Sequence, residues 1–311
     1  MQEASSGEPQ PLVTVGLPVY NGGAALAEAL AGIARQTYAN LEILISDNAS
    51  TDETQAICEQ LAEADERVRY VRHDVNGGAA WNFNYVLRAA SGRYFMWAAH
   101  DDRMHPGYVE RTQALLAARP EVVLCHSEAQ PILTSGDPVG AAYVGWTNEA
   151  PTVGERWRTI LRHSELHAAI YGLMRAPVAR RTRGLLACVG ADWIFMIEMS
   201  VLGSIAQVPE TLQYKRVPGE ADAYHTREEM LSYLGARSTN WRAQLRPVRA
   251  DVTRQAVRAL PALGVPRANR VRMLADAVRI YAAEGGCRVD ARDIAAVALA
   301  RGRRRCARAD G

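Results

Sequence analysis

Between residues 12 and 102 the chain passes four times from a short apolar run into a polar turn, with a helical pattern between one run and the next. Leu12-Val13-Thr14-Val15-Gly16-Leu17-Pro18-Val19 reads as a strand stopped by Pro18. Residues 24–36 follow with Leu26, Leu30 and Ile33 on one helical face. Residues 41–46 are a second strand of near-continuous apolar character, as in a sheet covered on both faces. The turn 47–52 then leads into a helix that Ser50 or Thr51 would cap, running to about Asp65. Strand 68–72, the turn Asn76-Gly77-Gly78, helix 79–90 and strand 94–99 complete the series, which closes on His100-Asp101-Asp102. This order predicts right-handed crossovers and an α/β fold with a Rossmann-like, mostly parallel central sheet flanked by helices. Ligands of such sheets bind at the carboxyl ends of the strands, where these turns lie. The order alone therefore gathers Tyr20, Asn21, Asp47, Asp52, Asn76, Asp101 and Asp102 along one edge.

Further on, helix 108–118, strand 122–127, a Gly/Pro/Thr-rich stretch 128–155 and a helix through Trp157–Leu161 are expected. Ala168 to Met174 looks extended, and Asp192 opens an apolar helical run. Val217-Pro218-Gly219 marks a boundary, beyond which the pattern is helical with breaks at Pro247, Leu260-Pro261 and Gly264–Pro266. The expected division is a disordered tail (1–11), one α/β domain (12–220, with halves 12–127 and 128–220), and a C-terminal helical extension (221–311).

Charge is uneven along this division. Of 36 Lys+Arg and 34 Asp+Glu, residues 241–311 hold 16 and 6, leaving 20 and 28 for residues 1–240, so about +10 stands against about −8. Lys215 is the sole lysine, every other basic residue being arginine. The five cysteines are scattered, without CxxC spacing, which argues against a disulfide framework and a zinc site. Residues 1–8 resemble no signal peptide, and the most apolar stretch, 185–208, is broken by Asp192 and Glu198, so a cytoplasmic protein is expected. The fingerprints GxGxxG and GxxxxGK[ST] are absent, and no nucleic-acid motif accompanies the basic C-terminus.

Adjacent Asp101 and Asp102 at a strand end repel one another unless a cation offsets them. A hard divalent ion, Mn²⁺ or Mg²⁺, suits such carboxylates and takes its remaining ligands from water and substrate phosphates. An exposed turn with a helix-capping Asp is the structural alternative.

Four segments in order, Leu17–Asn21, Glu42–Asp52, Asn76–Gly78 and Trp97–Asp102, resemble the family 2 glycosyltransferases with the GT-A fold. The resemblance covers residues 12 to about 130 well and continues more weakly to about 215. It implies an inverting transfer from a UDP- or dTDP-sugar to an acceptor hydroxyl. Pro18, Val19, Tyr20, Asn21 and Asp47 would meet base and ribose, Asp52 would hold their loop, and Asn76 and Gly77 would border the pocket. Asp101 would bind ribose and metal, Asp102 metal, and His225 would reach metal or diphosphate. Ala99 stands where relatives often carry a first Asp, which leaves open which of the pair leads. Asp192, in Gly190-Ala191-Asp192-Trp193, falls where the family places its general base, with Glu198 and Glu165 as weaker candidates. Lys215 and Arg216 are candidates for diphosphate contacts, and Trp97, Trp146 and Trp193 for stacking on sugars, although buried Trp is more often core.

A nucleotidyltransferase also carries strand-end carboxylates, but usually opens with a Gly- and Arg/Lys-rich loop, where this chain has Pro18-Val19-Tyr20-Asn21. A non-catalytic nucleotide-sugar binder that kept the fold is the alternative from a different class. Expected partners are the donor and a sugar, lipid-linked or small-molecule acceptor, without nucleic acid. Surface-polysaccharide or lipopolysaccharide assembly is the default setting, and secondary-metabolite tailoring the next. For the C-terminal helices, covering the acceptor site, a homodimer contact and a peripheral seat on the inner face of an anionic membrane all fit the pattern.

Overall fold

The computed structural model describes residues 10–143, 146–163, 168–217 and 248–283. Its strands are β1 (Val13–Val19), β2 (Leu41–Asp47), β3 (Val68–Arg72), β4 (Tyr94–Trp97), β5 (Arg103–Met104), β6 (Val122–Ile132), β7 (Leu173–Arg175) and β8 (Ser204–Arg216). The helices are α1 (Gly23–Ala34), α2 (Thr54–Ala64), α3 (Ala79–Ala89), α4 (Tyr108–Ala118), α5 (Val153–Arg162), α6 (Ala176–Ala179), α7 (Ala191–Leu202), α8 (Val248–Ala259) and α9 (Arg267–Ala283).

One sheet runs β3-β2-β1-β4-β7-β6-β8-β5. The half made of β3, β2, β1 and β4 is parallel throughout, as the strand–turn–helix order requires. β7 is antiparallel to both β4 and β6, and β8 runs parallel to β6. The carboxyl ends of β6 and β8 consequently lie on the same edge as those of β1 to β4.

Alternate strand residues divide between two cores. Val13, Val15, Leu17 and Val19 of β1 pack with Leu26, Leu30 and Ile33 of α1 and with Tyr108 and Leu116 of α4. On the other face, Phe95 and Trp97 of β4 meet Val86 and Leu87 of α3 and Phe195 of α7. Gly16 allows α3 to approach, since a Cβ there would fall 2.8 Å from Phe95 and 3.0 Å from Val86. α8 and α9 join this second core through Val252, Leu260, Met273 and Ala277. Trp157 Nε1 donates to the Met273 carbonyl at 2.8 Å, and Arg158 pairs with Asp276 at 3.0 Å.

Several boundaries differ from expectation. β1 continues through Pro18, level with Ser46 of β2 and beyond Gly16↔Trp97, where the pairing of β1 with β4 ends. The first helical residue of α2 is Thr54 rather than a residue next to Ser50, and the N-cap Glu53 makes no side-chain capping bond. Residues 169–171 form a 3₁₀ turn before β7 instead of one extended run. The end of the expected tail is held, with Tyr38 donating to the Pro11 carbonyl at 2.5 Å and Asn40 to that of Gln10 at 2.6 Å. Among the described residues no helix is long and apolar enough to cross a membrane.

Candidate functional site

The loops after β1 and β2 are laced into one surface. Asn21 holds a left-handed backbone at φ 51. Its N–H donates to Ser50 Oγ at 2.9 Å, and its Oδ1 accepts the Thr51 N–H at 2.9 Å. Gly22 N–H donates to Thr54 Oγ1 at 2.9 Å and Gly23 N–H to Asp52 Oδ2 at 3.0 Å. Asp52 Oδ1 also accepts the Thr54 N–H at 3.1 Å. Burial alone would raise the Asp52 carboxyl; the bonds from Thr54 and Gly23 outweigh it and hold the group below the usual carboxylate range.

Asp47 has no exposed surface. Its Oδ1 accepts the Ser50 N–H at 2.8 Å, its Oδ2 the Tyr70 hydroxyl at 2.8 Å, and Arg72 Nε stands 3.6 Å from Oδ2. Burial, reinforced by the Asp47 carboxylate, pushes the Tyr70 phenol well above its ordinary value, so it remains a donor. The Asp47 carboxylate, expected to meet the nucleotide, is engaged here in building the turn. Pro18 and Val19, also expected at the nucleotide, lie beneath this surface. Both are buried inside β1, and the Val19 carbonyl already accepts from Asn48 N–H at 2.9 Å and Asn82 Nδ2 at 3.3 Å. What the edge does present is Tyr20, 44% exposed, with Asn21, Arg72, Asn76 and Gly77. The Asn76-Gly77-Gly78 turn is pinned from below, because Asn76 Oδ1 accepts from Asn48 Nδ2 and Gly78 N–H at 2.8 Å, and Gly77 N–H donates to Asn48 Oδ1 at 2.9 Å.

The loop after β4 brings Asp101 and Asp102 to the same edge, where the end of β8 meets them. Lys215 Nζ pairs with Asp102 Oδ2, and the Arg216 N–H donates to Asp102 Oδ1 at 2.9 Å. Burial, reinforced by the Asp101 carboxylate, pushes the Asp102 carboxyl above its usual range, and Lys215 and the Arg216 N–H offset only part of that rise. Arg216 Nε donates to the Asp101 carbonyl at 2.9 Å, and its Nη2 meets Glu28 of α1 at 2.7 Å. Glu28 also pairs with Arg103. The Asp101 carboxylate has no partner among the described residues. No group of three His, Cys, Asp or Glu side chains able to hold a metal occurs among them either, so a cation here would draw on ligands that arrive with a substrate.

Asp192 stands exposed in the first turn of α7, whose N-cap is Gly190, and no side chain caps that helix. The capping role considered for Asp192 is thus not what the helix uses. Phe195, one turn later on the same face, lies 4.8 Å from the Trp97 ring, at the end of the strand that leads to Asp101. Glu198 is fully buried and accepts from Arg183 at 2.7 Å, which removes it as a base. His225 and Glu165 lie outside the described residues. Trp97 and Trp146 are buried and cannot stack on a sugar. Burial pushes the Cys58 and Cys125 thiols up to about 12, so neither is a nucleophile. Sequence reasoning missed the pairing of Lys215 with Asp102, although the solitary lysine was its visible signal, and it missed Arg72, for which nothing local pointed to Asp47.

This sheet, with polar turns and a carboxylate pair on one edge, has the GT-A glycosyltransferase architecture. Residues 14–165 match the family model described as glycosyl transferase family 2, which identifies the domain they form as one of that family. It is 27% identical over 224 residues to an uncharacterized glycosyltransferase of Haemophilus influenzae, covering 67% of this chain and 66% of that one. It is 36% identical over 99 residues to glycosyltransferase GlyG of Streptococcus pneumoniae, covering 32% and 33%. The chain thus spans less than two thirds of the length of these curated relatives. Among solved structures, TarS 1-349 of S. aureus in complex with UDP-GlcNAc superposes with a TM-score of 0.54 at 16% identity over 88% of this chain and 92% of that one. Mannosyltransferase PcManGT of Pyrobaculum calidifontis, in complex with GDP-Man and Mn²⁺, gives 0.53 at 20% over 93% and 79%. At these identities the likeness is one of fold.

Proposed function

We propose that the protein is an inverting glycosyltransferase that moves a sugar from a UDP- or dTDP-sugar to an acceptor hydroxyl. The observation that carries this is Asp101, a carboxylate in the loop after β4 with no partner among the described residues, beside Asp102 and Glu28, which are both paired. The match of residues 14–165 to the family model and the nucleotide sugars held by the TarS and PcManGT structures support it. Tyr20, Asn21 and the Asn76–Gly77 turn take base and ribose. Mn²⁺ or Mg²⁺ fits this edge with Asp101 as its protein carboxylate, the rest of its shell coming from diphosphate and water. When bound, such an ion neutralises charge growing on the departing nucleoside diphosphate. Asp102 leaves the expected ligand set, because Lys215 and Arg216 hold both of its oxygens.

Asp192 receives the proton of the acceptor hydroxyl as that oxygen attacks the sugar C1 from the face opposite the nucleotide. The acceptor is a sugar, a lipid-linked saccharide or a small molecule, with surface-polysaccharide assembly as the setting. Asp192→Asn keeps the helix, costing at most about 1 kcal/mol through the lost charge at the helix start. It is expected to lower donor turnover by about 10²- to 10⁴-fold with nucleotide affinity unchanged, as read by steady-state kinetics and calorimetry. Turnover close to wild type would remove Asp192 from the mechanism. A wild type that binds nucleotide sugar and turns over none would favour a non-catalytic binder.

A further inference from the structure

Lys215 is the sole lysine among 36 basic residues, and it is held on two sides. Its Nζ pairs with Asp102 and lies 3.6 Å above the Tyr171 ring, with the Lys215 and Asp102 side chains 18% and 15% exposed. The main chain of the next residue, Arg216, binds the other Asp102 oxygen at 2.9 Å. Three carboxylates (Glu28, Asp101, Asp102) and three cations (Arg103, Lys215, Arg216) meet here, so the edge is electrically balanced before any metal arrives. Among the described residues here, a divalent ion approaching the free protein finds one unpaired carboxylate, Asp101, beside a fixed ammonium that repels it. One carboxylate beside a cation is a weak site for such an ion, which needs substrate phosphates to complete its oxygen shell.

We infer that Lys215 is a resident cation that withholds Asp102 from divalent metal, so that metal joins the free protein only together with a nucleoside diphosphate. This rests on the nucleotide-sugar reading of the same edge. The compactness of an ammonium, against the broad fork of a guanidinium, accounts for a lysine where every other basic position is arginine.

The test is Mn²⁺ titration followed by the electron paramagnetic resonance of free Mn²⁺. It uses wild type alone, wild type with UDP, dTDP or GDP, Lys215→Met, and Lys215→Met combined with Asp102→Asn. Wild type alone should show no saturable binding below about 1 mM, with binding tightened at least about tenfold by one of the nucleotides. Lys215→Met, which exposes two adjacent carboxylates, should gain at least about tenfold in Mn²⁺ affinity without nucleotide, and Asp102→Asn should reverse the gain. Mn²⁺ that saturates the free wild type as tightly as the nucleotide-bound protein overturns the inference alone, and this arm decides even if Lys215→Met fails to fold. A folded Lys215→Met that gains nothing overturns it as well. No nucleotide binding, with or without Mn²⁺, overturns both the inference and the function on which it rests.

Discussion

Asn21 and Ala49 both sit in left-handed backbone, at φ 51 and φ 64, on the two turns that form the floor of the edge. Asparagine tolerates that region, whereas for alanine it costs about 1 kcal/mol, held here by Ser50 N–H bonding back to Asp47 at 2.8 Å. Ala49→Gly is therefore expected to stabilise the protein by up to about 1 kcal/mol, raising Tm by about 2–4 °C with nucleotide affinity unchanged. Thermal unfolding checks this, and a lower Tm would mean that the strain is absent. Asn21, Asp47, Asp52 and Asn76 were legible in the sequence because each stands where an apolar run stops. Which of them keep a free polar group was not legible. Tyr70, which takes an Asp47 oxygen, is 23 residues away, and Lys215, which takes an Asp102 oxygen, is 113 away. No local pattern encodes either meeting.

At the scale of elements, β8 is the strand that the sequence hid. Pro209 and Glu210 break its alternation, and in the sheet the register jumps from Ser127↔Val208 to Glu128↔Thr211, so the two residues form a bulge. Beyond the bulge β8 carries Lys215 and Arg216 to the edge. α7 was legible from its apolar run, yet its anchoring was not. Glu198 is buried within it, bound by the Arg183 side chain at 2.7 Å and by its N–H at 2.8 Å, while Arg183 reaches the Gln255 carbonyl of α8 at 2.8 Å. Glu198→Ala strands that guanidinium and is expected to cost about 3 kcal/mol, leaving nucleotide affinity intact. Chemical denaturation measures the first and calorimetry the second. Loss of turnover at unchanged stability would instead return Glu198 to the list of bases.

Over the whole molecule, the parallel half of the sheet supplies the turns, and β8, running parallel to β6, returns two cations to the same edge. The parallel half could be read from the repeat of strand, turn and helix. The antiparallel β7 and the packing of α8 on α7 and of α9 on α5 could not, because both depend on surfaces far apart in the chain. The claim that joins these scales is that the edge binds a nucleoside diphosphate through Asp101. Calorimetric titration of UDP, dTDP and GDP with Mn²⁺ into wild type and Asp101→Asn tests it most directly. One nucleotide should bind saturably to the wild type and at least about tenfold more weakly to the variant. No binding by the folded wild type, or equal affinity in both proteins, would contradict it.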